Sequence, residues 1–277
     1  MPFTQTAKKA AKTLLIILIL LVFLFPIYWM IITSFKPEFE ALLYPPTYYP
    51  TQFTLNAYLK GISRYRGWDS FIDSIQVAAG STMLALTIGI PAAYSFSRYY
   101  YQIPKRKDLL FFILSTRILP PIVFIVPFFL LFKWSGLLDT PICLWIVNLT
   151  FNMPFVVWVM KGMFDEIPKE LDQAAMLDGC SSLLVFRKII LPLCYPSIIV
   201  TALFCWIWSW NEFLFASLLT SARVRTIQVL IPSLVLSPVV EWSAYCAIGV
   251  LSALPVVAFI YLIRKHLVRG LTFGIVK

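Results

Sequence analysis

Six long apolar runs set the first constraint on this chain: Leu14 to Ile32, Ile72 to Phe96, Leu109 to Phe132, Ile142 to Met160, Leu193 to Phe215 and Ala244 to Ile263. A bilayer core about 30 Å thick takes about 20 helical residues at about 1.5 Å each, and every run comes close to that length. Backbone crossing hydrocarbon must satisfy its own hydrogen bonds, so the predicted fold is all-α, a polytopic membrane protein of six transmembrane helices. Composition agrees: 60% of the 277 residues are hydrophobic and 13% charged, far from soluble-domain averages. The first run follows Lys8, Lys9 and Lys12 as in a signal peptide, but its length and the lack of a small-residue cleavage site before Lys36 favour a retained span.

An even number of spans puts both termini on one side, and basic residues tell which side that is. The N-terminus, the Arg98 to Lys107 loop, the Lys161 to Lys188 loop and the tail from Arg264 together hold fifteen Lys and Arg. The alternate loops hold seven: Lys36, Lys60, Arg64, Arg66, Lys133, Arg223 and Arg225. Both termini are therefore expected in the cytoplasm, with the chain in the plasma (inner) membrane. The net charge of +10 sits in these clusters beside apolar runs, so it speaks for topology rather than for nucleic acid. Tyr99-Tyr100-Tyr101 and Lys105-Arg106-Lys107 are expected as interface anchors.

A polar interruption runs from Asp165 to Pro192. Pro168 suits a first helical turn, Glu170 and Asp172 lie near the positive end of the dipole, and Gly179 can take the left-handed turn that ends a helix. A helix from about Pro168 to Asp178 follows, with Ser181 or Ser182 capping a second. Leu171, Ala174, Ala175 and Asp178 are predicted to share a small-chained face that another surface can approach closely.

The chain has no G-x-x-x-x-G-K-[ST], no glycine followed by lysine and no two adjacent glycines, so it cannot cradle nucleotide phosphates. Its five cysteines form no C-x-x-C and His266 is the only histidine, which leaves no disulfide framework and no metal site to propose.

Ala174-Ala175, Asp178-Gly179, Ile189 and Leu191-Pro192 resemble the E-A-A loop of binding-protein-dependent ABC transporter permeases. Glu166-Ile167-Pro168, Trp210-Asn211-Glu212 and the closing Arg264 to Gly274 segment resemble the carbohydrate-uptake branch, of the maltose-system type. The resemblance implies a type I ABC importer permease fold and a subunit that is not itself an enzyme. It also implies ATPase-coupling roles for Glu170, Gln173, Ala174, Ala175, Asp178, Gly179, Leu191 and Pro192. The implied partners are a second permease subunit, two ATPase subunits that bind ATP and Mg2+, an extracytoplasmic solute-binding protein, a carbohydrate and the lipid bilayer; no cofactor is expected on this chain. One position departs from the family. Gln173 stands where a glutamate precedes the two alanines, and a neutral amide can still hydrogen-bond but cannot form the ion pair that a carboxylate makes with an arginine.

The expected organisation is residues 1–69 as a first span with an external, proline-rich loop, 70–264 as a permease core with the coupling loop 162–192, and 265–277 as a cytoplasmic tail. Dense prolines between Tyr44 and Pro50 resist a long helix; the loop can meet a binding protein or act as an interfacial connector. Gly80, Ser81, Gly89 and Pro91-Ala92-Ala93 are expected to let the second span pack closely. Arg117 within the third run is costly in hydrocarbon, and Pro120, Pro121 and Pro127 should break the helix around it. Helical rise puts Arg117 and Asn152 each about 12 Å from the cytoplasmic edge and Glu212 about 28 Å, too far to pair with Arg117. For Arg117 and Asn152 three readings stand: a bond between spans, a gate or pathway lining, or contact with solute. The face bearing Trp206 can stack on a sugar, with Asn211 and Glu212 beyond it, or form an aromatic belt; Trp208 is expected to point away. The last external loop, with Arg223, Arg225, Pro232 and Pro238, is expected as an irregular connector.

The alternatives are an ion-coupled secondary carrier, which predicts paired intramembrane carboxylates and an internal repeat, and a non-transporting scaffold. Apart from Asp73 and Glu212 near the outer ends, the runs contain no acid.

Overall fold

A computed structural model describes residues 2–98, 106–236 and 240–272; Tyr99 to Tyr101, Lys105, Pro238 and the tail beyond Thr272 lie outside these. The described residues are helical and contain no strand. In order they form α1 (Pro2–Ser34), α2 (Glu38–Ala41), α3 (Asn56–Ser63), α4 (Gly67–Arg98), α5 (Arg106–Ser115), α6 (Ile125–Trp134) and α7 (Pro141–Glu166). There follow α8 (Lys169–Leu177), α9 (Ser182–Val185), α10 (Leu191–Leu193), α11 (Tyr195–Trp210), α12 (Leu214–Leu219), α13 (Ile227–Val235) and α14 (Trp242–Thr272). A 3-10 turn, Pro121–Phe124, precedes α6, and a π turn, Phe186–Ile190, joins α9 to α10.

Among the described residues, four stretches are continuous helices long and apolar enough to cross a membrane: Ala11–Ser34, Gly67–Arg98, Pro141–Glu166 and Trp242–Arg264. The fifth apolar run is not one straight span, because Ser182–Leu193 meets Tyr195–Trp210 at 79°. Pro192 and Pro196 sit in the first turns of α10 and α11, where a missing N–H costs least, and Cys194 between them is not helical. The third run also differs from a single helix. It is split into α5 and α6, as the prolines at 120 and 121 require, with Arg117 in the gap.

The chain divides into two compact units, residues 1–68 with 230–254, and 69–229 with 255–277. Residues 230–254 belong with the first unit although most of the chain between them and residue 68 does not. The reason is polar pairing across a long sequence separation. Glu38 caps α14 by accepting from the Trp242 and Ser243 N–H groups at 2.7 and 3.0 Å, and Glu241 pairs with Lys60 and Arg64 at 3.0 Å each. The proline-rich loop itself is packed. The buried Glu40 carboxylate accepts from the Thr47 hydroxyl, the Thr51 N–H and the Thr51 hydroxyl, while Lys36, counted above as a topology charge, is buried and donates to the Thr47 carbonyl.

In the second unit, α4 lies close against α7. A Cβ at Gly89 would stand 2.7 Å from Val156, and one at Gly80 2.3 Å from the Trp145 ring, whose indole N–H donates to the Gln76 carbonyl at 3.1 Å. One core cluster gathers Tyr94, Met160, Phe164, Ala175 and Phe186 beneath α8; another gathers Val77, Phe132, Leu144, Val147 and Phe215.

Residues 220–226 of the last loop have no regular structure, as expected of a connector, but they are pinned, and helix α13 follows them. Asp139, before α7, accepts four consecutive backbone N–H groups, Ser221, Ala222, Arg223 and Val224, at 2.8 to 3.2 Å, and the Ser221 hydroxyl at 3.0 Å. Partial burial would raise its pKa, but these bonds outweigh it and hold the carboxyl down at about 2. The resulting stability is complete above the unfolded value near 4 and is lost as pH falls toward 2, at most about 2 kcal/mol before solvent screening. Asp139→Asn is therefore expected to lower the melting temperature at pH 7 and to flatten its fall between pH 4 and pH 2.5; melts of the purified chain at those pH values check this.

Candidate coupling loop and polar cavity

The helix expected from Pro168 to Asp178 runs from Lys169 to Leu177, with extended Pro168 as its N-cap residue rather than its first turn. Glu170 and Asp172 occupy the first turn, where carboxylates favour the helix dipole. Gly179 has φ +89°, and the Gly179 and Cys180 N–H groups bond back to the Met176 and Ala175 carbonyls at 3.0 Å. Ser181 supplies the next cap, its hydroxyl accepting from the Leu184 N–H at 3.4 Å.

The face that α8 leaves open is rotated from the predicted one. Ala175, expected outside, is 8% exposed and packs in the core beneath α8, and Asp172 is buried beside it. Glu170, Gln173, Ala174 and Leu177, at i, i+3, i+4 and i+7, form the exposed stripe, with Leu177 89% exposed. Leu171 and Asp178 flank that stripe, and Leu191 and Pro192 lie in α10.

What turns the helix is a set of residues to which sequence reasoning gave no site role. Arg98 Nε lies 2.9 Å from Asp172 Oδ2, an ion pair whose side chains are 6% and 9% exposed. Tyr94 donates its hydroxyl to Asp172 Oδ1 at 2.7 Å. Arg98 also donates Nη1 to the Phe164 carbonyl at 2.9 Å and Nη2 to the Ile167 carbonyl at 3.0 Å, satisfying carbonyls that the end of α7 leaves over. Ser97 donates to Asp165, which also pairs with Lys161. One guanidinium thus clasps the end of α4 to the end of α7 and to the buried face of α8. No local pattern marks this clasp: Arg98 counted only as a topology signal, and 74 positions of chain separate it from Asp172.

Four of the five candidate pathway residues come together. Arg117, Asn152, Asn211 and Glu212 line one cavity of about 380 Å³, together with Asn148, Phe151 and Trp208. The expected separation of Arg117 and Glu212 assumed straight rods. Here α11 stops at Trp210 and the third run is open around Arg117, so both reach the same cavity. Asn152 donates to Ser209 Oγ at 2.9 Å, which ties α7 to α11. Glu212 caps α12, accepting from the Phe215 and Ala216 N–H groups at 2.7 and 2.9 Å.

The tryptophans are reversed relative to expectation. Trp206 is buried, stacked between Trp210 and Phe259 with centroids at 5.0 and 4.7 Å, and borders a separate apolar cavity of about 630 Å³. Trp208, expected to point away, faces the polar cavity with the Arg117 guanidinium 3.9 Å above its ring. The reason is that α11 places Phe204 and Trp208, one turn apart, against Phe155 of α7, which turns Trp206 to the opposite side.

Residues 85–273 match the family described as binding-protein-dependent transport system inner membrane component. The chain is 36% identical over 278 aligned positions, covering 99% of it and 98% of its relative, to a probable ABC transporter permease protein, y4oR, of Sinorhizobium fredii. It is 32% identical, over 94% of both chains, to the trehalose/maltose transport system permease protein MalG of Thermococcus litoralis. Its fold matches a chain of a bacterial ABC transporter involved in import of the acidic polysaccharide alginate, with a TM-score of 0.80 at 22% identity over 95% of this chain and 97% of that one. These likenesses set aside the ion-coupled carrier and the scaffold. An all-helical chain with a buried clasp beneath an exposed E-A-A-like helix belongs to the binding-protein-dependent transport family as an inner membrane ABC permease subunit, not an enzyme.

Proposed function

We propose that this chain is one transmembrane subunit of an ATP-driven, binding-protein-dependent importer of a carbohydrate, set in the plasma membrane. The charge distribution supports six crossings with both termini in the cytoplasm. Four continuous helices, the bent pair ending in α11 and the proline-broken α5 to α6 segment make up the six. The sugar transport for which the MalG relative is named supports a carbohydrate cargo. A second permease subunit, two ATPase subunits holding ATP and Mg2+, and an extracytoplasmic binding protein complete the assembly.

The observation that carries this reading is that α8 exposes Glu170, Gln173, Ala174 and Leu177 while Asp172 on its other face is clasped to α4. A partner that grips the outer stripe can therefore move α4 and α7 together, in the manner of a helix seated in a groove. ATPase closure then switches the permease between outward and inward access. Gln173, a neutral hydrogen-bonding group in that stripe, takes the place of the family's carboxylate.

Cross-linking tests it. A cysteine at Gln173 in the assembled complex, treated with a short thiol-reactive cross-linker, is expected to join the ATPase subunit, and one at Ala175 is not. Labelling of the Gln173 cysteine by an impermeant reagent from outside intact cells would refute the arrangement.

A further inference from the structure

The cavity beside Arg117 is lined by polar groups that the fold leaves partly unspent. Asn148 is 5% exposed and bounds the cavity wall, with its Nδ2 out of reach of an occupant. Arg117 adds donors: its guanidinium rests over Trp208 at 3.9 Å and near Phe155 at 5.4 Å, contacts that engage its π face and leave the N–H edges unspent. Glu212 supplies an acceptor. Its carboxylate takes two backbone N–H groups and keeps further lone pairs.

Charge selects among ligands. Arg117 and Glu212 line the same cavity with opposite signs, so an anion gains no net attraction there. Fixed donors, a fixed acceptor and ring faces of Phe151 and Trp208 suit a molecule whose groups both donate and accept and whose C–H faces are apolar. Its volume of about 380 Å³ lies within the range of about 300–1,000 Å³ typical of small-molecule sites.

We propose that this cavity is a subsite on this chain for one neutral sugar residue of the transported solute, with Arg117 donating to its hydroxyls and Glu212 accepting from one. The proposal rests on reading the chain as a carbohydrate permease subunit, and it assigns solute contact to this subunit itself.

A cysteine at Leu214, which lines the cavity without belonging to the polar set, reports occupancy. In the whole complex in proteoliposomes, its modification by a small methanethiosulfonate is timed with maltose, maltotriose, trehalose, mannitol or glucuronate present. At least one neutral compound is expected to slow modification threefold or more, with glucuronate without effect. Arg117→Met in the same background is expected to remove the protection and the conservative Arg117→Lys only to weaken it, so a failure of either variant to assemble leaves the other as a test. Protection by none of the neutral compounds, or equal protection by glucuronate, overturns the subsite. Uptake of these sugars by the same vesicles separates the two readings: uptake without protection removes the subsite alone, and no uptake of any of them removes the carbohydrate reading with it.

Discussion

Asp172→Ala is expected to abolish ATP-coupled uptake and to lower the stability of the chain by about 3–5 kcal/mol, the usual cost of stranding one member of a buried ion pair. Arg98 would lose the carboxylate at 2.9 Å and Tyr94 its acceptor at 2.7 Å, while the carbonyls of Phe164 and Ile167 would still hold the guanidinium in place. A structural loss and a coupling loss are separated by the double variant Arg98→Met with Asp172→Leu. An apolar pair of similar volume often restores the stability that a broken pair loses. The double variant is therefore expected to regain melting temperature and assembly but to hydrolyse ATP with at least tenfold less solute moved per ATP. Full recovery of transport in that variant would show that the clasp only holds the fold.

Gly179→Val is the second large effect. With φ at +89° the position is one a β-branched residue adopts only under strain of about 1–3 kcal/mol, and since nothing lies within 4 Å of the added Cβ, the cost is backbone strain rather than collision. Relief of that strain reorients the turn between α8 and α9. The Glu170 to Leu177 stripe would then meet the ATPase at the wrong angle. Insertion should persist, ATP hydrolysis should continue, and uptake in proteoliposomes should fall about tenfold; Gly179→Asn, which tolerates left-handed backbone, should fall much less. Transport unchanged by Gly179→Val would remove α8 as the coupling element.

Both predictions rest on features unequally visible in the chain. Gly179 was legible because a left-handed helix end has a strong residue preference. The α8 helix was legible from its proline, acids and glycine, to within one residue at each end. The face it turns outward was not: periodicity names which residues share a face, and only the contact of Asp172 with Arg98 chooses between faces. The same holds for α11, where spacing put Trp206 and Trp210 together but the packing of Trp208 against Phe155 decided which side meets the polar cavity. Rise per residue failed for Glu212 because it measures depth only along an unbroken helix.

The sequence by itself determined the all-helical membrane character, the family and the position of the α8 helix proposed here for coupling, since these follow from length of apolar run, local backbone preference and a motif of fixed spacing. Only the tertiary structure decided which charges are spent inside the molecule: Arg98 on Asp172, Lys36 and Glu40 within their loop, Asp139 on four backbone N–H groups. A buried charge is stable only where distant chain brings it a partner, and that pairing is a property of packing, which no stretch of neighbouring residues encodes.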